Sequence, residues 1–420
     1  MSKDLNDSQY SAPGGKILVT RPRVLFIGSS IRYMRHAHEM GIDVILIHKE
    51  GGYSQEYSQY VTEIIHADFT NDYDSVERIA LQQHAEAPLK RVMSFTEDGL
   101  VPAARLNSLL GLGGNSLESV WRLKDKAWMR SCLADHQLSP VRSRLVKNAD
   151  ELAYFVTEHS YRAVVKPVRG VGSVGIFHLE GPDEVTEVWN RITESGHTLM
   201  LVEEHLDGPE FSVESLSWQG RHHILAITRK ALHGNMEIGH SMPALLTPEQ
   251  NAQIAATVQG LLDSVGITEG PCHTELRLTK DGPRIIESHN RMGGSAIGGL
   301  VHLTVNLDIT RLAISIPLGI DPPLTESPTQ VGGAAVRHFL PDPGIVKGIT
   351  GTELISTDAR LSLLIGVQPG DTVHEQLTNF DRDALGTLVI AGGTDETDAI
   401  RRCEEVIDTV QIVTKGAAQV

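Results

Sequence analysis

The chain has 420 residues, of which 40% are hydrophobic, and a formal net charge of −16 at pH 7. That length predicts two or three domains, and an acidic balance with scattered Lys and Arg excludes a basic nucleic-acid stripe. No apolar run approaches ~20 residues, so no membrane span is expected. The three distant cysteines, Cys132, Cys272 and Cys403, argue against a disulfide framework or zinc site and for a reducing, cytoplasmic setting.

Residues 1–16 are polar, lack an apolar signal-peptide region and read as a disordered leader. Arg23 to Gly28 reads as a buried strand entering a loop. A helix (Ile31 to Met40), a strand (Asp43 to His48), a strand end at Val92 to Phe95 and an Ala/Leu-rich helix follow. This alternation predicts a doubly wound parallel sheet over residues 17–120, with ligands at the carboxyl ends of its strands. The first turn has Gly28 alone, which is not a dinucleotide fingerprint. Glu97, in Phe95-Thr-Glu97-Asp-Gly, is placed to bind a substrate ammonium or to stand as a helix-start acid.

Arg122 to His136 is expected to form one helix carrying Lys126. In Ala163-Val-Val-Lys166-Pro a lysine lies among apolar neighbours and needs an anion. Gly170-Val-Gly172-Ser173-Val-Gly175 comes next, and a strand rather than a helix follows it. Such a strand–glycine loop–strand flap folds its backbone N–H groups over phosphates. Leu199 to Glu214 reads as a strand, an acidic hinge with Glu203, Glu204 and Leu206, and a second strand beginning near Glu210. An extended hinge can present backbone groups to an adenine edge, and Glu210 can hold ribose hydroxyls. His240 is expected in a loop, where it could donate to a substrate or phosphate oxygen. Pro248 to Gly266 has helical apolar spacing.

The organising stretch is 272–299. His273, Glu275 and Arg277 alternate to one face, and Lys280-Asp281-Gly282 has hairpin-turn chemistry. A turn centred on Asp281 sets Glu275 directly opposite Glu287. Like charges so placed repel unless a cation lies between them, and two hard carboxylates suit Mg²⁺. Arg291 follows, able to clamp a phosphate or carboxylate. Beyond the prolines at 317, 322, 323 and 328, the tail reads as a small α+β domain, with Thr394 capping its last helix.

Taken in order, Lys126, Lys166 with its flap, Glu203-Glu204-x-Leu206, Glu210, Glu275, Glu287 and Arg291 resemble the ATP-grasp superfamily, and more narrowly its L-amino-acid (dipeptide) ligase branch. The likeness extends to Phe95-Thr-Glu-Asp and to Val336-Arg-His-Phe-Leu340-Pro-x-Pro-Gly344. It implies a multidomain α/β and α+β protein with the ATP-grasp fold. The Rossmann-like N-terminal domain would span 17–120 and the ATP-grasp domain 121–325, divided into a flap part (121–198) and a metal/phosphate part (199–325). A C-terminal lid would occupy 326–420.

The resemblance also implies ATP with Mg²⁺, or Mn²⁺ in its place. Lys126, Lys166, Gly170, Gly172 and Ser173 would contact phosphates, Glu203, Glu204 and Leu206 the adenine, and Glu210 the ribose. Glu275 and Glu287 would bind metal. Arg291 and His240 would hold acyl-phosphate and substrate oxygens, and Glu97 the first substrate's amino group, with Gly294 and Ser295 leaving it room. The family's Glu-x-Asn-x-Arg is here Glu287-Ser-His289-Asn290-Arg291. The further metal ligand is therefore expected at Asn290, with His289 the other candidate. The implied activity is a carboxylate–amine ligase that joins two amino acids, or an amino acid and a related acid, through an acyl phosphate and releases ADP and phosphate. A purine-pathway or biotin-carboxylase-like ligase and a non-catalytic ATP-binding regulator are the alternatives. Partners would be small-molecule substrates, namely amino acids, with neither nucleic acid nor membrane, and a homodimer is compatible with the sequence.

Overall fold

The computed structural model describes residues 21–51, 55–158, 162–170, 172, 174–234, 236–294, 296–355, 358–376 and 378–416. The leader, Ser173 and Ser295 lie outside the described residues.

Four parallel strands open the fold, in the order Glu63–His66, Asp43–His48, Arg23–Ile27 and Arg91–Met93. Val24 to Ile27 and Val44 to Ile47 are buried without alternation, because helices cover both faces of the sheet. Glu97 follows the carboxyl end of Arg91–Met93, where open α/β sheets receive ligands.

An antiparallel four-stranded sheet follows, in the order Ser143–Val146, Met200–Glu204, Ala163–Pro167 and Phe177–Leu179. Its buried face packs on the helices Ala149–Glu158 and Val185–Glu194. The strand Met200–Glu204 lies inside this small sheet, with Met200 and Val202 in the same core as Phe155 and Ile192. The expected division at 198/199 is thereby corrected: the chain leaves this subdomain only after Glu204.

The large sheet has eight strands, in the order Gly282–His289, Gly270–Thr279, Glu210–Trp218, Arg221–His233, Met236–Met242, Gly333–His338, Leu388–Gly393 and Leu361–Leu364. Pairing of Met236–Met242 with Gly333–His338 carries the sheet across the expected boundary at 326, so the tail extends the central sheet. On one face lies the helix Pro248–Val265, held by a Thr247/Gln250 capping box. The other face shares a core with the N-terminal domain, in which Phe26 and Met34 join Leu300, Val301 and Val336.

Three local expectations are corrected. The helix expected from Arg122 to His136 is two, Leu117–Lys124 and Lys126–Asp135, because Asp125 accepts from the backbone N–H of Trp128 and starts a new helix. His240 lies on the strand Met236–Met242 rather than in a loop. The last helix is capped by Asp395, which accepts from Asp398 N, and not by Thr394. No single helix among the described residues is long and apolar enough to cross a membrane.

Candidate active site

The hairpin Gly270–Thr279/Gly282–His289 turns on Lys280-Asp281, with Thr279 opposite Gly282 and Leu276 opposite Ile285. That register alone would set Glu275 against Ile286. A bulge at this point leaves Ile286 unpaired and brings Glu287 opposite Glu275. The expected pairing is present, but a bulge rather than the turn produces it. The bulge also aims the Ile286 carbonyl at Lys166 Nζ, 3.3 Å away.

Glu275 and Glu287 face a cavity of about 370 Å³, within the usual range for small-ligand sites. The small sheet with its glycine loop, the large sheet and the helix Asn379–Leu385 of the tail enclose it. Lys126, Lys166, Gly170, Gly172, Glu203, Glu204, Leu206, Glu210, His240, Arg291 and Gly294 all line it. Glu97 and Asn290 do not.

Each ionised group is held by a nearby counter-charge. Lys126 Nζ lies 2.9 Å from Glu287 Oε2 and donates to the Gly170 carbonyl at 2.9 Å. Burial opposes the charge on Glu287, yet Lys126 and His289 hold its carboxyl well below the usual range. Glu275 is likewise lowered against burial, chiefly by Lys230 and His273. Two ionised, opposed hard-oxygen donors at one cavity fit a small divalent cation.

Deeper in the same wall, Glu203 bridges Lys166 Nζ (2.7 Å) and Arg130 Nε (2.6 Å). Burial raises its pKa, but Arg130 and Lys166 more than offset this and lower it to about 2. Glu203→Gln should destabilise the fold at pH 7 by about 3–5 kcal/mol, since two buried cations lose their shared partner. The wild-type contribution is complete above 4.5 and is lost as pH falls through about 2. The urea-denaturation stabilities of the two proteins should therefore converge as the medium is acidified. A gap that does not change with pH would remove charge as its cause.

Asn290 is corrected as a metal ligand. Strand alternation puts Glu287 and His289 on the cavity face and Asn290 on the other. The Asn290 amide is used structurally: Oδ1 accepts from Asn115 Nδ2 at 2.8 Å, and Nδ2 donates to the Pro271 carbonyl at 3.1 Å. His289 lines the cavity instead, with Nε2 3.2 Å from Glu287 Oε1 and Nδ1 3.0 Å from Glu97 Oε2. Burial would lower the His289 pKa, but Glu287 and Glu97 raise it.

Glu97 has partners within the chain that the sequence did not announce. It holds Arg291 Nε at 3.0 Å and Lys124 Nζ at 3.3 Å, in addition to His289. Burial pushes its carboxyl up, but His289, Lys124 and Arg291 bring it well below the ordinary range. Glu97 is thus engaged within the chain itself by Arg291, Lys124 and His289.

Several site residues were missed in the sequence. Lys230, on Arg221–His233, reaches Glu275, Glu237 and Glu210. Glu237 lies 3.2 Å from His240 Nε2 and receives the tail: Asn379 Oδ1 accepts from its backbone N–H, and Arg382 donates to its carbonyl. Lys230 carried the same signal as Lys166, a lysine inside an apolar strand. Glu237 and Arg382 lie 145 residues apart and carried no local signal.

The chain resembles known proteins along most of its length. Residues 34–114 match the ATP-grasp N-terminal domain, 159–298 the ATP-grasp domain and 337–415 the L-amino acid ligase C-terminal domain 2. Human carnosine synthase 1 is 26% identical over 70% of this chain and 39% of its own length. Dapdiamide A synthase from Enterobacter agglomerans is 24% identical over 70% of this chain and 74% of its own. The chain thus spans about two-fifths of the carnosine synthase. The crystal structure of an L-amino acid ligase from Bacillus licheniformis superposes with a TM-score of 0.80 at 22% identity, covering 94% of this chain and 99% of the other, which shows a shared fold. The three domain matches, in this order along the chain, mean that it belongs to the ATP-grasp carboxylate–amine ligase family, in its L-amino acid ligase branch.

Proposed function

We propose that the protein joins the carboxylate of one amino acid to the amine of a second, using ATP and forming an acyl phosphate. One observation carries this reading: Glu275 and Glu287 oppose each other at a cavity that also receives Lys126, Lys166, the glycine loop and Arg291.

A carboxylate resists nucleophiles because its charge is shared over both oxygens. Attack of one of those oxygens on the γ-phosphorus of ATP forms a C–O–P linkage and releases ADP. The amine, as its neutral form, then attacks the carbonyl carbon. The C–O bond to phosphate breaks, and the excess proton leaves with phosphate and solvent. Lys126 and Lys166 would hold the phosphates beneath the Gly170 and Gly172 backbone, with the 203–206 hinge beside the base and Glu210 beside the ribose. Arg291, oriented by Glu97, would stabilise charge on the transferring phosphoryl group, with His240 beside it. Glu275 and Glu287 would hold Mg²⁺, which when bound neutralises phosphate charge. The helix Asn379–Leu385 would help exclude water from the acyl phosphate.

The test is a phosphate-release screen over pairs of amino acids, with mass spectrometry of the products. Release that needs a pair of amino acids, and a product equal to their summed mass less water, is the expected result. Release supported only by bicarbonate or a ribosylamine would replace amino-acid ligation with another ATP-grasp reaction. ATP binding without release under any mixture would make the protein a nucleotide-binding regulator.

A further inference from the structure

Lys230 lies under the cavity floor, with a side chain only 1% exposed. Its Nζ is 2.8 Å from Glu275 Oε1, 2.8 Å from Glu237 Oε1 and 3.1 Å from Glu210 Oε1. These carboxylates come from three different strands of the large sheet. One oxygen from each lies within 4.8 Å of the others, a spacing that would accept a metal ion. Each carboxylate also has an outer partner: Arg277 is 3.1 Å from Glu210, His240 3.2 Å from Glu237 and His273 3.2 Å from Glu275.

We propose that Lys230 is a built-in cation that keeps this three-carboxylate cluster closed to free divalent ions, so that metal enters the site only with nucleotide, at Glu275 and Glu287. The proposal rests on the reading that those two residues hold the metal. Charge and distance support it. An ammonium donates three hydrogen bonds at just such distances, whereas Mg²⁺ and Ca²⁺ draw oxygens in to about 2.0–2.6 Å. The side chain is buried on a central strand, so the ammonium is enclosed among these carboxylates rather than free in solvent. Three carboxylates within hydrogen-bond distance of Nζ are the surroundings an ammonium requires when it is buried. Glu275 belongs to both groups. Its Oε1 is taken by Lys230 and His273, which leaves Oε2 for a metal shared with Glu287. Lys230 is in this sense a positioning residue: it selects which oxygen meets the metal and ties the ribose-side Glu210 to the metal-side Glu275.

The test follows free Mn²⁺ by electron paramagnetic resonance on nucleotide-free protein, together with Tm with and without Mn²⁺. Wild type is expected to leave the Mn²⁺ signal undiminished at about 0.1 mM and to show no Mn²⁺-dependent rise in Tm. Lys230→Ala should take up one Mn²⁺ per chain at least about tenfold more tightly, because three carboxylates lose their resident cation. Its Tm should rise with Mn²⁺, and adding Glu210→Gln should abolish the gain. If Lys230→Ala does not fold alone, refolding with and without Mn²⁺ reads the same question, and Mn²⁺-dependent recovery is expected. Tight Mn²⁺ uptake by nucleotide-free wild type, or a variant whose binding or refolding is indifferent to Mn²⁺, overturns the proposal. No turnover is needed, so a failure of the ligase reading would leave these outcomes unchanged and be recognised separately.

Discussion

Glu287→Gln should lower amino-acid-dependent phosphate release by about 10³-fold or more, the scale of losing a principal transition-state electrostatic contact. The substitution keeps shape and removes charge. It would take away half of the opposed carboxylate pair and strip Lys126 of its partner at 2.9 Å. Asn290→Ala is the informative companion. Its amide binds Asn115 and the Pro271 carbonyl on the far face of the strand, so it should cost stability and leave turnover within about threefold of wild type. Measured side by side, with Tm as the folding control, the pair distinguishes a ligand from its neighbour. Equal losses of turnover in both variants would return Asn290 to the metal site, and near-normal turnover in Glu287→Gln would take Glu287 out of it.

Arg291→Lys should be nearly as damaging, with kcat down by about 10²–10³-fold. Arg291 uses Nε on Glu97 at 3.0 Å and one terminal nitrogen on the Met292 carbonyl at 3.0 Å. A guanidinium can hold these anchors and still present another nitrogen to the cavity, whereas one ammonium cannot do both. The KM for ATP should move much less than kcat, because the lost contact belongs to the transferring group rather than to the bound nucleotide. A variant with normal kcat and a raised KM would assign Arg291 to ground-state binding.

Much of this site was legible because it obeys strand periodicity. Alternation put His273, Glu275 and Arg277 on one face, and all three line the cavity. The buried lysine at 166 needed an anion and has one in Glu203. What escaped reading depends on chain crossings that no local pattern encodes. Strand order brings Lys230 beside carboxylates 20 and 45 residues away in sequence, and the tail returns to place Arg382 on Glu237. Asn290 failed by parity: a one-residue shift in the familiar motif moves the amide to the opposite face. The strand Met200–Glu204 was assigned to the wrong subdomain because apolarity reports burial and not which sheet provides it.

The mechanism's central step can be followed atom by atom. Amino acids carrying ¹⁸O in both carboxylate oxygens, supplied as a mixture with ATP and Mg²⁺, should yield phosphate containing one ¹⁸O per turnover, since the carboxylate oxygen that attacks phosphorus departs with it. Release of unlabelled phosphate during amide formation, or of AMP and pyrophosphate in place of ADP, would contradict an acyl phosphate at Glu275 and Glu287.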